Sequence, residues 1–153
     1  MPLTDNQIGA LIYRSGLFMD EENFDGFMQL CASDFRYQIT AYSPELGKEM
    51  IWLNLDREGM EHLLKNIPNH VRLPGSFLRN LNVYLMEPQQ ANGDVHVTSS
   101  LLVIHTDLEG ASRLYAAGMY IDDVVLSSGS PQLKSRTVKL ATRQLGPGSH
   151  VPL

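Results

Sequence analysis

The chain has 153 residues, of which 43% are apolar and 19% charged, and a formal net charge of −5. This size and composition argue against disorder and predict one domain over residues 1–153. A negative chain without a Lys/Arg cluster argues against nucleic-acid binding. No apolar run reaches the roughly 18 residues of a membrane span, and no basic-then-apolar leader is seen, so we expect a cytoplasmic protein.

Three helices are predicted in the first half of the chain. The first begins at a capping box formed by Thr4 and Gln7 and continues with apolar residues at helical spacing. A second, short helix follows the acidic residues 20–22 and carries four residues inward, namely Phe24, Phe27, Met28 and Cys31. The third begins at Asp56 and ends at Pro68, which cannot continue a helix.

Cys31 is the only cysteine in the sequence. One thiol cannot build a disulfide framework, a zinc ribbon or a Cys-ligated iron–sulfur cluster. Because Cys31 lies in an apolar run, we expect it to behave as a small buried hydrophobe without reactivity.

Strands make up most of the remaining sequence. The predicted strands are residues 34–41, 50–55, 77–86, the two halves of a hairpin over 95–126, and 132–143. Helices followed by antiparallel strands predict an α+β fold, in which a curved sheet wraps around the helices as a cone with a pocket inside. The tail after residue 146 has no periodicity.

The predicted hairpin has apolar residues on both of its faces. Val95, Val97, Leu101 and Val103 share one face, whereas Leu102 and Ile104 lie on the other. A sheet with one solvated face alternates apolar and polar residues, so both faces of this hairpin need cover. The helices can cover one face, and we expect the other to meet another subunit or a loop.

Several segments, in this order, carry a resemblance to a known family. They are the acidic and aromatic residues of 17–37, Arg79 before Asn82 and Val83, the strand segments 97–103 and 118–122, and residues 133–138. Together they resemble the small (β) subunits of aromatic-ring-hydroxylating Rieske dioxygenases, within the NTF2-like/SnoaL-like superfamily. The Trp that usually opens the last strand of that family is absent, and Pro131 and Gln132 stand there instead.

The resemblance implies an NTF2-like cone and a non-catalytic, structural role. In such complexes the large (α) subunit carries the Rieske 2Fe–2S cluster and the mononuclear Fe(II), and it hydroxylates an aromatic or small organic acid. The small subunit then carries no cofactor and joins the large one, with homotrimer contacts, in an α3β3 hexamer. A Rieske centre needs two Cys and two His, so the single cysteine agrees with this implication. The sequence does not identify the substrate.

Two alternatives involve the pocket inside the cone. An isomerase, dehydratase or cyclase would need a base against an apolar wall and a group that stabilises an enolate. The available residues are Tyr13, Asp34, Tyr37, His70, Tyr120 and Asp122. A small-ligand-binding module is the second alternative. Because no spacing pairs a base with an electrophile, the structural interpretation is preferred.

A metal site is a further hypothesis for the end of the hairpin. His105 and Asp107, with the distant His150, could supply two histidines and one carboxylate for iron. His105 and Asp107 flank a predicted turn, however, and His150 lies in the Gly/Pro tail. A solvated turn without metal is therefore the preferred interpretation.

The last strand and the tail are predicted to contact other subunits. Four basic residues there have no acid nearby in sequence, namely Lys134, Arg136, Lys139 and Arg143. Strand alternation places Lys134 and Arg136 on one face of the strand and Lys139 and Arg143 on the other. We expect one pair to neutralise Asp122 or Asp123 within a trimer and the other to face the large subunit. The tail, residues 146–153, ends in Val151 and Leu153, which we expect to dock on a neighbouring subunit.

Overall fold

A six-stranded sheet and three α-helices make up the part of the chain that the computed structural model describes, residues 3–69, 73–145 and 152–153. The helices are α1 (Asp5–Asp20), α2 (Phe24–Gln29) and α3 (Arg57–Asn66), which runs into a 3-10 turn (Ile67–Asn69). The strands are β1 (Cys31–Ser43), β2 (Lys48–Asp56), β3 (Ser76–Met86), β4 (Val95–Thr106), β5 (Ser112–Ser127) and β6 (Ser130–Leu140).

The strand order is β2-β1-β6-β5-β4-β3. All neighbouring strands are antiparallel except β1 and β6, which pair in parallel. Helix α1 packs against β3 and β6, and α3 packs against β1 and β2. The buried residues of both helices belong to one core cluster with the inward residues of the strands, so both helices lie on one face of the sheet. The result is the predicted α+β arrangement, in which a curved sheet wraps around helices. None of the helices in these ranges is long and apolar enough to cross a membrane.

The predicted helix starts are confirmed by their caps. Thr4 and Gln7 form the capping box, in which the Thr4 hydroxyl accepts from the Gln7 amide at 3.2 Å and the Gln7 side chain accepts from the Thr4 amide at 2.9 Å. The carboxylate of Asp56 caps α3 by accepting from the Gly59 amide at 2.8 Å. Each cap satisfies helix amides that would otherwise lack a partner.

The end of α2 differs from the prediction. The helix ends at Gln29, and Cys31 opens β1 instead of closing the helix, although it is buried as expected. Asp34 is an exposed residue within β1. Leu30 forms the C-cap of α2, and Cys31 already belongs to the strand, where pairing with β6 outweighs the helical spacing.

The two faces of the β4–β5 hairpin are both apolar, as predicted. The inner face is packed, because Val95, Val97, Leu101 and Val103 are at most 3% exposed. The opposite face of this hairpin and of the neighbouring strand β3, called the outer face here, carries Leu78, Leu102, Ile104, Leu114, Met119 and Ile121. Leu78, Leu102 and Leu114 are 58%, 42% and 57% exposed.

Candidate functional site

The inside of the cone contains buried polar side chains from four strands. Three of the predicted pocket residues, Tyr37, Tyr120 and Asp122, lie there with no exposed surface. Two arginines join them, because Arg136 and Arg79 also point inward and are nearly fully buried. Buried charges of this kind require close partners, so their contacts decide what the site can do.

Arg136 and Asp122 form a buried, two-point ion pair. Arg136 Nε and Nη2 donate to the two carboxylate oxygens at 2.8 and 3.0 Å, and Nη2 also donates to the Ser15 hydroxyl at 2.9 Å. The guanidinium lies 3.8 Å from the ring centre of Tyr120. Burial raises the pKa of Asp122, and Arg136 opposes this rise. Since a guanidinium keeps its proton, both oxygens of Asp122 already accept hydrogen bonds from Arg136, and the carboxylate is held as a structural partner instead of being presented to a substrate as a base.

The position of Arg136 corrects two predictions. It was expected at a contact between subunits, yet it lies in the core of its own chain. It was also expected to share a face with Lys134, but the pairing of β5 with β6 shifts register there, leaving Lys134 as an extra residue between Leu133 and Ser135. This bulge reverses the alternation and turns Arg136 inward, opposite Asp122.

Arg79 joins three parts of the molecule. Its Nη1 donates to the Asp20 carboxylate at 2.8 Å, and its backbone amide also donates to that carboxylate. Its Nη2 donates to the main-chain oxygen of Pro152 at 2.5 Å. Strand β3 is therefore tied both to the end of α1 and to the last described residues.

Tyr37 forms a hydrogen bond with Leu153, the residue that follows Pro152. Its hydroxyl donates to the main-chain oxygen of Leu153 at 2.8 Å, and burial raises its pKa well above the ordinary range. The Leu153 side chain is 4% exposed and packs in the hydrophobic core. The prediction that Leu153 docks on a neighbouring subunit is thus wrong for this structure, because its own chain offers the apolar site. Val151 and His150 lie outside the described residues.

Tyr13 and Asp34, two other predicted pocket residues, do not join this cluster. Tyr13 is 47% exposed on α1, where its hydroxyl accepts from the Val83 amide at 3.2 Å. Asp34 is exposed on β1, and His70 lies outside the described residues. The structure therefore brings together Tyr37, Tyr120 and Asp122, and among the described residues no free base lies beside them.

His105 and Asp107 have structural contacts at the end of the hairpin. His105 Nε2 is 2.8 Å from the main-chain oxygen of Pro74, and its ring packs against Phe77 with centroids 5.0 Å apart. Asp107 accepts from the amides of Glu109 and Ala111 within the turn. His105 is 2% exposed, so the prediction of a solvated residue is wrong for it. Within the described ranges, no three His, Cys, Asp or Glu side chains cluster as metal ligands would.

The remaining basic residues of the C-terminal region pair with acids from other parts of the fold. Lys134 lies 3.0 Å from the Asp94 carboxylate. The other two pairs are Lys139 with Glu49 at 3.8 Å and Arg143 with Glu45 at 3.3 Å. The basic residues that lack an acid nearby in the sequence are therefore paired in space with acids from distant parts of the chain. The side chains of Lys139 and Arg143 are still 56% and 50% exposed.

Sequence reasoning missed Arg79 and Ser15 as members of the interior cluster. Arg79 occupies an inward position of β3, between Phe77 and Leu81 in the alternation. Ser15 occupies the buried face of α1 at helical spacing from Leu11 and Met19. A polar residue at a core position of an otherwise apolar pattern requires a buried partner, and that signal was present in the sequence.

Comparison with solved structures shows the fold. The beta subunit assigned to an aromatic-ring-hydroxylating dioxygenase of Novosphingobium aromaticivorans matches 97% of this chain and 95% of its own, with a TM-score of 0.83 and 20% identity. A protein of the same organism assigned as scytalone dehydratase matches 94% of this chain and 89% of its own, with a TM-score of 0.67 and 17% identity. The fold of the chain is therefore the NTF2-like α+β cone, as the resemblance implied.

Comparison with curated proteins shows the family. The beta subunit of 2-aminobenzenesulfonate 2,3-dioxygenase from Alcaligenes sp. is 35% identical over 146 residues, which cover 95% of this chain and 97% of that protein. The beta subunit of the methanesulfonate monooxygenase hydroxylase from Methylosulfonomonas methylovora is 29% identical, over 93% of this chain and 83% of that protein. No family model matches. The chain belongs to the family of beta subunits of ring-hydroxylating Rieske oxygenases, which are parts of oxidoreductase complexes.

Proposed function

We propose that the chain is a non-catalytic, structural subunit that assembles with and stabilises the large (α) subunit of a Rieske-type oxygenase. Family membership carries this proposal. The interior of the cone supports it, because Arg136 donates hydrogen bonds to both carboxylate oxygens of Asp122. The Tyr37 hydroxyl likewise donates to the main-chain oxygen of Leu153. An independent pocket enzyme would need such groups free for a substrate.

The cofactors of the complex are proposed to belong to the large subunit. A Rieske centre takes two Cys and two His ligands, and this sequence contains one Cys. The thiol of Cys31 is buried, and burial raises its pKa to about 12, so it remains a thiol rather than a thiolate ligand near neutral pH.

The substrate of the complex is proposed to be a sulfonate, within the broader class of aromatic or small organic acids. Both curated relatives are named for oxygenases of sulfonates, one aromatic and one a single-carbon compound. The proposed location is the cytoplasm.

The outer face of the sheet is proposed to hold copies of this chain together in an α3β3 hexamer. Leu78, Ile104 and Leu114 are neighbours across three adjacent strands, so their side chains form one apolar row. Apolar patches of this kind mark interaction sites. The exposed side chains of Lys139 and Arg143, on another part of the surface, are proposed to contact the large subunit.

The test is to co-express the chain with its own large subunit and to measure the mass of the purified complex by light scattering. We expect three copies of each chain, iron on the large subunit and oxygenase activity towards a sulfonate. Leu114→Glu should shift the complex towards smaller species, because a carboxylate would be desolvated at the contact. Leu17→Glu is the matched control, since Leu17 is 54% exposed on α1, away from the outer face.

Two results would contradict the proposal. Failure of the chain to co-purify with the large subunit would contradict the structural role. A Leu114→Glu complex that stays intact, while Leu17→Glu dissociates, would place the contact on the helical side instead of the outer face.

A further inference from the structure

The last two residues of the chain occupy the inside of the cone in the manner of a bound ligand. Leu153 inserts its side chain into the core, where it is 4% exposed. The two main-chain oxygens of this dipeptide each accept from a different side chain, Pro152 from Arg79 and Leu153 from Tyr37. An apolar group in a cavity and a few placed donors for its polar atoms are the usual features of a ligand site.

The two donors come from strands that are far apart in the sheet. Tyr37 lies on β1 and Arg79 on β3, and the strands β6, β5 and β4 separate them. Two adjacent residues can reach both donors only by crossing the interior of the curved sheet. The dipeptide therefore bridges the two sides of the cone, and its contacts do not depend on any regular pairing with a strand.

The interior offers more polar groups than the dipeptide uses. Arg79 Nε, the Tyr120 hydroxyl and the Ser99 hydroxyl are buried and have no hydrogen-bond partner among the described residues. Ser99 and Tyr120 are direct neighbours across β4 and β5 and point to the same side. Native interiors rarely leave such groups unpaired, so these donors indicate a site with capacity for further acceptor oxygens or water.

We propose that the inside of the cone is a binding site for a leucine-sized apolar group with adjacent acceptor oxygens, and that Pro152 and Leu153 of the same chain are its resident ligand. The chain thus fills its own pocket. This occupancy, together with the Arg136–Asp122 pair, keeps the interior closed to other small molecules. The inference rests on the contacts of Tyr37, Arg79 and Leu153 and does not require the proposed function.

The test uses the full-length chain with Leu153→Asp, which should release the dipeptide because a carboxylate is costly to bury in an apolar site. A fluorescent peptide with the sequence of residues 146–153 is then titrated against this variant and against the wild-type chain. We expect the variant to bind the peptide at least tenfold more tightly. In the wild-type chain the tethered residues compete at an effective concentration in roughly the millimolar range.

Two controls test the assigned contacts. A peptide carrying the same Leu153→Asp change should bind neither protein. Adding Tyr37→Phe to the Leu153→Asp variant removes a single hydroxyl, and peptide binding should weaken severalfold. Circular dichroism establishes that each variant is folded, and Leu153→Ala replaces Leu153→Asp if the aspartate variant does not fold.

The proposal is overturned if the folded release variant binds the peptide no better than the wild-type chain. It is also overturned if the altered peptide binds as well as the natural sequence, because the leucine side chain would then make no contribution. Assembly with the large subunit is measured separately, so a failure here leaves the proposed function unaffected.

Discussion

Arg136 donates two hydrogen bonds, of 2.8 and 3.0 Å, to the two carboxylate oxygens of Asp122, and both side chains are at most 1% exposed. The same guanidinium bonds the Ser15 hydroxyl on α1. One arginine therefore ties the first helix to two central strands. Because the pair is fully buried, removing either partner leaves an uncompensated charge in the core.

We predict that Asp122→Ala lowers the free energy of unfolding by about 3–5 kcal/mol, the usual cost of breaking a buried ion pair. Urea denaturation monitored by circular dichroism measures the change. Asp123→Ala is the matched control, because Asp123 is the next residue along β5 and its side chain is 36% exposed. A loss below about 1 kcal/mol for Asp122→Ala, similar to that of the control, would contradict the role assigned to the pair.

A double replacement should separate the charge from the packing. Asp122→Leu combined with Arg136→Met removes both charges and keeps apolar volume in the core. We expect this variant to be clearly more stable than Asp122→Ala in the same urea assay. If the double variant is instead less stable than Asp122→Ala, side-chain packing and the hydrogen bond to Ser15 contribute more to stability than the ionic contact.

Gly75 is predicted to tolerate no side chain. Its φ is +116°, and an added Cβ would lie 2.1 Å from the main-chain oxygen of Thr106. Gly110 also has a positive φ, of +88°, but has open space around the added Cβ. Gly75→Ala should therefore lower the melting temperature much more than Gly110→Ala, which suffers backbone strain alone. Equal shifts in differential scanning fluorimetry would show that the clash is relieved by local movement.

Cys31 is predicted to react with iodoacetamide only when the protein unfolds. Its side chain is buried, and burial raises its pKa to about 12, so at pH 8 roughly one molecule in ten thousand carries the thiolate. Mass spectrometry should find almost no alkylation of the native chain and complete alkylation in concentrated guanidinium chloride. Rapid labelling of the native protein would mean that the start of β1 opens readily.

The purified chain is predicted to contain no stoichiometric iron in the absence of its partner. His105 and Asp107 already bond main-chain groups, so neither is arranged as a ligand. Metal analysis after loading with Fe(II) and desalting measures the content, and His105→Ala should leave it unchanged. Iron at one equivalent per chain, lost in that variant, would restore the hypothesis of a metal site at the hairpin.

Local signals in the sequence were enough to predict most of the helices and strands. The capping box at Thr4, the cap at Asp56 and the two apolar faces of the hairpin depend on neighbouring residues alone. Such features need no knowledge of the rest of the chain, because helix caps and strand alternation are set within a few residues. The order of these segments was also sufficient to indicate the family.

The tertiary structure alone decided the contacts of the interior. Whether Arg136 faces inward depends on the bulge at Lys134, which exists only through the pairing of β5 with β6. The docking site of Pro152 and Leu153 is formed by Arg79 and Tyr37, which are brought together only when the sheet curves. The sequence by itself determined most of the helices and strands. Which polar residues are buried, and with which partners, required long-range strand register, because a shift of one residue turns a side chain to the other face.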